Sequence, residues 1–354
     1  MGKTYINGIG CVSAQKTFDT VFLEEAVLNE SLNVLPLEIP TYKDYISPIA
    51  ARRMSKAVKN GIVASTLGMK EANVETFDAI ITGTGMGCIE DSDKFLKAII
   101  DNNEEFLTPT SFIQSTHNTV GAQIALGMSC KAYNFTYVNA AVSFESAILD
   151  AKMQIDSDEA KTILVGGIDE MTDYTQRLFK LAGFIKADEE QTFPILNSKT
   201  KGTVFSEGAT FFVLENEKSA STYAEIVDLD LINSLEVSEV EPKIIDFLKQ
   251  NNLEISDIDA LVLGINGDVE YDSYYQSISE NTFKNIPQVY YKHLSGEYNT
   301  ASAFGLFVGS KIIKTQQIPD ILKANAVTKP EFKTILLYNQ YRGIDHSLTL
   351  ISRC

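Results

Sequence analysis

Two stretches of this chain echo each other, and the echo restricts what it can fold into. The segment Asp78-Ala79-Ile80-Ile81-Thr82-Gly83-Thr84-Gly85-Met86-Gly87 matches Asp259-Ala260-Leu261-Val262-Leu263-Gly264-Ile265-Asn266-Gly267-Asp268 in order and spacing. Each is an Asp, an unbroken apolar run and a Gly-rich turn, which suits a strand of a parallel sheet covered on both faces. A second pair follows in the same order, Thr162-Ile163-Leu164-Val165-Gly166-Gly167 and Thr334-Ile335-Leu336-Leu337-Tyr338-Asn339. Between the members of these pairs lie two small-residue-rich helix starts, Ala140 to Lys152 and Asn299 to Lys311. Similar elements in the same order predict two copies of one α/β unit facing each other, residues 1–218 and 222–354. The first copy carries extra sequence near 35–60 and 95–120, where Ile39-Pro40-Thr41 and Thr108-Pro109-Thr110 mark loops and short helices above the core.

Within the first copy, Asn134-Phe135-Thr136-Tyr137-Val138 reads as a strand, Asn139-Ala140-Ala141 as a sharp corner, and Ser143-Phe144-Glu145-Ser146-Ala147-Ile148-Leu149 as the start of a helix. A strand–corner–helix is how a fold presents a nucleophile, because the helix N-terminus raises the reactivity of a Cys or Ser placed at the corner. Here the corner holds alanine. The pedestal for a nucleophile is present and the nucleophile is absent.

Composition narrows the function classes. The net charge of −17 argues against sequence-independent nucleic-acid binding, which needs clustered Lys and Arg, and makes docking to an acidic partner depend on a local basic patch. Cys11, Cys88, Cys130 and Cys354 lie far apart with no CxxC pair, so neither a zinc signature nor a disulfide framework follows. The start Met1-Gly2-Lys3-Thr4-Tyr5-Ile6 has no signal-peptide pattern, and no apolar run approaches ~18 residues. These features predict a soluble protein of a reducing compartment, the cytoplasm.

Four further segments carry a resemblance. Arg52-Arg53-Met54-Ser55, Gly83-Thr84-Gly85-Met86-Gly87, Phe205-Ser206-Glu207-Gly208-Ala209 with Phe212-Val213-Leu214-Glu215, and Lys292-His293-Leu294-Ser295-Gly296 occur in this order. Together they resemble the β-ketoacyl synthases, condensing enzymes of the thiolase superfamily, over nearly the whole length. The resemblance implies an α/β thiolase-like fold, with two duplicated αβαβα halves and mixed five-stranded sheets. The family's chemistry uses a Cys nucleophile and two His donors to a thioester oxygen. By resemblance the nucleophile position is Ala141. The His that ends the family's K-S-x-x-G-H segment is Glu297, and an ionised carboxylate cannot donate. The stretch from Gly264 to Asp272, in place of the other His segment, has no His; Lys292 alone stays in register.

Family members without the nucleophile serve as chain-length factors, and Thr110 to Val120 resembles those of the aryl-polyene and flexirubin pigment group. The resemblance implies a heterodimer with an active ketosynthase, an acyl carrier protein as second partner, and no cofactor, metal, nucleic acid or membrane span. It also makes Phe112, Gln114, Thr116 and His117, and more weakly Tyr133, Phe135 and Tyr137 on the neighbouring strand, the residues that wall the partner's acyl tunnel. The alternatives are a divergent active condensing enzyme, an acyltransferase or a malonyl-carrier decarboxylase, with Asn266 or Lys292 as donor, and a self-paired structural homodimer.

Several residues have plainer readings. His117 is either a pocket group or a satisfied interface histidine, while His293 and His346 read as structural or surface groups. Cys88 reads as a buried, unreactive thiol. The Gly83–Gly87 turn is neither GxGxxG nor a Walker motif and reads as a close-packed turn. Glu207 reads as a structural carboxylate, and the run Glu236 to Glu241 as a solvated face.

Overall fold

The computed structural model describes residues 2–18, 22–188 and 193–354; Met1, at the head of the start inspected for targeting signals, lies outside them. Among the described residues ten strands make one mixed sheet: β1 (Thr4–Val12), β2 (Ala79–Gly83), β3 (Tyr133–Tyr137), β4 (Thr162–Asp169), β5 (Gly208–Glu215), β6 (Ala224–Asn233), β7 (Ala260–Leu263), β8 (Gln288–Tyr290), β9 (Thr334–Tyr341) and β10 (Asp345–Ser352). Their order is β3-β2-β4-β5-β1-β6-β10-β9-β7-β8. It reads alike from both ends, for β2 runs parallel to β3 and β4 as β7 does to β8 and β9, and the remaining contacts are antiparallel. The two paired segments of the sequence, β2 with β7 and β4 with β9, occupy corresponding places. The two arms of five strands run on into one sheet. The two arms hydrogen-bond to each other through β1 and β6, from Thr4↔Ile226 to Ile6↔Ala224.

Helices cover the strands in layers. In chain order they are α1 (Pro48–Ala51), α2 (Lys56–Ala72), α3 (Ile89–Asp101), α4 (Pro109–Gln114), α5 (Thr119–Gly127), α6 (Ser143–Asp156), α7 (Asp173–Leu181), α8 (Val237–Gln250), α9 (Ser273–Ser279), α10 (Lys292–Ser295) and α11 (Ser302–Thr315). The predicted helix starts at Ala140 and Asn299 move three residues later, because a 3₁₀ turn over Ala140–Val142 and the Tyr298–Ala301 turn precede them.

Alternate strand residues go to different cores, as a two-residue period demands. Ile81, Val165, Phe212, Val262 and Leu337 face a central core that includes α6 and α11. Ile80, Leu164 and Phe211 face α2 and α5, while Leu261, Leu336 and Tyr338 face α8 and α9. Both strand faces are therefore dry, which is why these strands read as unbroken apolar runs. α11 is buried almost all round, consistent with its place between the two arms. Among the described residues no helix is long and apolar enough to cross a membrane.

Candidate functional site

The corner after β3 is built from small residues under strain. Ala140 sits at φ +44°, a left-handed conformation that costs a non-glycine residue free energy. Ser143 holds it there: its hydroxyl accepts from the Asn139 N–H at 2.8 Å and donates to the Ala140 carbonyl at 2.8 Å. A Cβ on Gly83 would stand 2.4 Å from the Ser143 carbonyl oxygen, so glycine is required for β2 to pass this close. Ala141 follows, buried, with its backbone N–H donating to Asp345 Oδ2 at 3.3 Å. Burial pushes the Asp345 carboxyl up, while the Ala141 N–H and nearby His346 pull it down.

The second arm supplies the rest. Lys292 and Glu297 are each 2% exposed, and their Nζ and Oε2 atoms are 2.7 Å apart. Asn266 Nδ2 donates to the same Oε2 at 2.7 Å. The loop after β7 that lacks histidine thus still delivers a donor, and Asn266 spends it on Glu297. The segment carrying Phe205 and Ser206 clamps Glu297 through its backbone: Glu297 N–H donates to Val204 and Ser206 N–H donates to Glu297. Burial raises the Tyr341 hydroxyl, and both Glu297 and Asp345 add to that, so this ring lies within the electrostatic reach of both carboxylates.

Two carboxylates that the sequence reading passed over organise this region. Asp169, at the end of β4, accepts from Thr84 Oγ1, the Gly85 and Met86 N–H groups, and both the N–H and hydroxyl of Thr300. It ties the Gly-rich turn of one arm to the helix start of the other, and a Cβ on Gly85 would collide with Asn299 at 2.3 Å. Glu145 is fully buried in the first turn of α6, takes a hydrogen bond from Ser347 at 2.9 Å, and is pushed up by burial. Asp169 had a weak signal, an acid closing a buried apolar run. Glu145 had a weaker one, an acid among small and apolar residues.

The tunnel candidates lie on β3, which leads into the elbow, and on α4 and the connection that follows it. Phe112 is 56% exposed on α4, with its ring 5.3 Å from Phe95 of α3. Gln114 is half-buried with Oε1 unpartnered, while Thr116 and His117 are exposed, His117 against Gly87. Tyr133, Phe135 and Tyr137 stack in a row on β3, the end strand of the sheet, with Tyr133 and Phe135 exposed and Tyr137 half-buried.

The remaining residues follow from their surroundings. Cys88 is fully buried, receives a bond from Ser55 at 3.4 Å, and burial pushes its thiol up to about 12. His293 stacks on Tyr290 and is driven down to about 4 by burial. His346 is buried beside the Tyr338 hydroxyl at 3.0 Å. Glu207 pairs with Lys56 and accepts the Met171 N–H. The acidic run at 236–241 is more than a solvated face: Glu236 and Glu239 form a capping box that starts α8, and Val240 is core.

The profile of the beta-ketoacyl synthase N-terminal domain matches residues 28–220, just over half the chain. No curated protein matches in sequence. A beta-ketoacyl synthase from Burkholderia phymatum STM815 superposes with a TM-score of 0.82 at 18% identity, each chain covered in full. The ishigamide ketosynthase/chain length factor gives 0.78 at 17% identity, covering 100% of this chain and 99% of that one. A chain of the ketosynthase ApeO in complex with its chain length factor ApeC, from Xenorhabdus doucetiae, gives 0.76 at 13%, covering 100% and 98%. At such identities these structures establish a shared thiolase-like fold, and the domain match supplies the kinship. The chain belongs to the beta-ketoacyl synthase family.

Proposed function

We propose that this protein is a non-catalytic synthase homologue, a chain-length factor of the aryl-polyene or flexirubin type, that pairs with an active ketosynthase and shapes its acyl tunnel. One observation carries the reading: the strained elbow presents Ala141, and an alanine methyl accepts no acyl group. The alternative, an enzyme using Asn266 or Lys292 as donor, is disfavoured because both groups are engaged by Glu297. Two of the structural neighbours, the ishigamide ketosynthase/chain length factor and ApeO with ApeC, pair a ketosynthase with a chain length factor.

Surface features support both partners. Among the described residues β3 ends the sheet with one open edge, and an exposed aromatic edge strand offers unpaired backbone groups to which another chain can add. Phe106, Phe112, Ile113 and Leu126 are exposed on neighbouring helices and their connections, an apolar surface of the kind found at interfaces. Arg52, Lys56, Lys59, Lys94 and Arg177 line one groove together with Glu90, Asp93 and Asp173, and although Lys56 and Lys94 are paired with Glu207 and Glu90, cations outnumber acids there on a chain of net charge −17, which suits an acidic carrier protein. Chain-length control would then be steric, since extension against a bulky wall costs overpacking energy.

The test is intact mass after incubation with acylated carrier protein, alone and with a candidate partner synthase. Acyl mass on the partner only, with equimolar co-purification, is the expected result. Acyl mass on this chain would refute the reading.

A further inference from the structure

An acyl-transfer site works by aiming free donors at the oxygen on which charge develops. Three donors belong to this site: the Ala141 backbone N–H, the Asn266 amide and the Lys292 ammonium. Each already donates to a carboxylate of the same chain, the first to Asp345 at 3.3 Å and the other two to Glu297 at 2.7 Å. Asp345 is fixed from more than one side. It opens β10 in register with Tyr341 and Asn233, and two residues on, Ser347 donates to Glu145. The links 345 to 141 and 347 to 145 run side by side from one face of β10, because alternate strand residues share a face. The elbow is thus docked on β10 by a pair of carboxylates pointing in opposite directions across one interface.

Resting on the reading of the site as non-acylating, we propose that Asp345 is an internal plug whose carboxylate occupies the elbow's anion-binding N–H. The missing thiol is then one of two independent blocks on acyl transfer. A thiol restored at position 141 would meet a filled donor and a neighbouring negative charge, both of which disfavour the thiolate. Replacing Ala141 alone would not remake a reactive centre.

The experiment compares Ala141→Cys with Ala141→Cys/Asp345→Asn in alkylation by iodoacetamide. The thiolate attacks the methylene carbon, a C–S bond forms, iodide leaves, and the thiol proton passes to buffer. Peptide mass mapping separates position 141 from Cys130 and Cys354, the native cysteines that are not fully buried. Labelling at 141 is expected to be about tenfold faster in the double variant. Rates equal within about twofold would overturn the plug. Labelling of buried Cys11 or Cys88 would report a loosened fold; the comparison then passes to Asp345→Ser, neutral and smaller, with the same two outcomes. Acyl mass on the unaltered chain would refute the non-acylating reading separately, leaving the alkylation ratio to judge the plug.

Discussion

At the scale of single residues, the Lys292–Glu297 pair is the sharpest case of a site turned inward. Two fully buried charges 2.7 Å apart, joined by Asn266, are stable together and costly apart. Glu297→Ala should destabilise the fold by about 3–5 kcal/mol, since it strands a buried ammonium. The combined change Lys292→Met/Glu297→Leu should cost clearly less, and urea unfolding of both variants checks the difference. The identity of Glu297 was legible in the sequence. Its partners were legible only in part: Lys292 lies five residues away, whereas Asn266 arrives from another strand. Asp345 stands 204 positions from Ala141, and no local pattern pointed to it.

At the scale of elements, β3 and the helices α3 to α5 carry the residues expected to wall a partner's tunnel. Aromatic residues at alternate positions of β3 share a face, and the sheet order leaves the outer edge of that strand open. Phe135→Lys should weaken association with a partner synthase while changing the stability of the isolated chain by about 1 kcal/mol or less, because the ring is half exposed. Sedimentation of the mixture against thermal melts of the chain alone separates the two effects. Phe112→Ala should lengthen the products made with the partner, as read by mass spectrometry of the released chains; unchanged length would remove Phe112 from the wall. The edge position of β3 could not be read from its residues, since a strand's neighbours are decided by crossovers elsewhere in the chain.

At the scale of the whole molecule, stability should depend on pH through carboxyls that folding buries. Burial lifts Asp272 to about 7, against backbone N–H groups of Asn266 and Gly267 that lower it, and lifts Glu170 to about 7, against N–H bonds from Glu90 and Ala57. Each holds its proton more tightly folded than unfolded. The stability this contributes is complete below the unfolded values near 4 and is lost as pH rises from there through 7, a change of roughly 4 kcal/mol per group. Asp272→Asn, which keeps an acceptor for those N–H groups, should flatten the fall in Tm between pH 5 and pH 8. The sequence by itself determined the duplicated order of buried strands, the elbow without a nucleophile and the place of Lys292, because apolar runs, corners and short motifs are local patterns. Only the tertiary structure decided the β1–β6 junction between the arms, the Asp169 tie across them and the carboxylates set against the elbow's donors. Those depend on side chains brought together from opposite arms, and burial, which gives such contacts their strength, exists only once both arms have packed around α6 and α11.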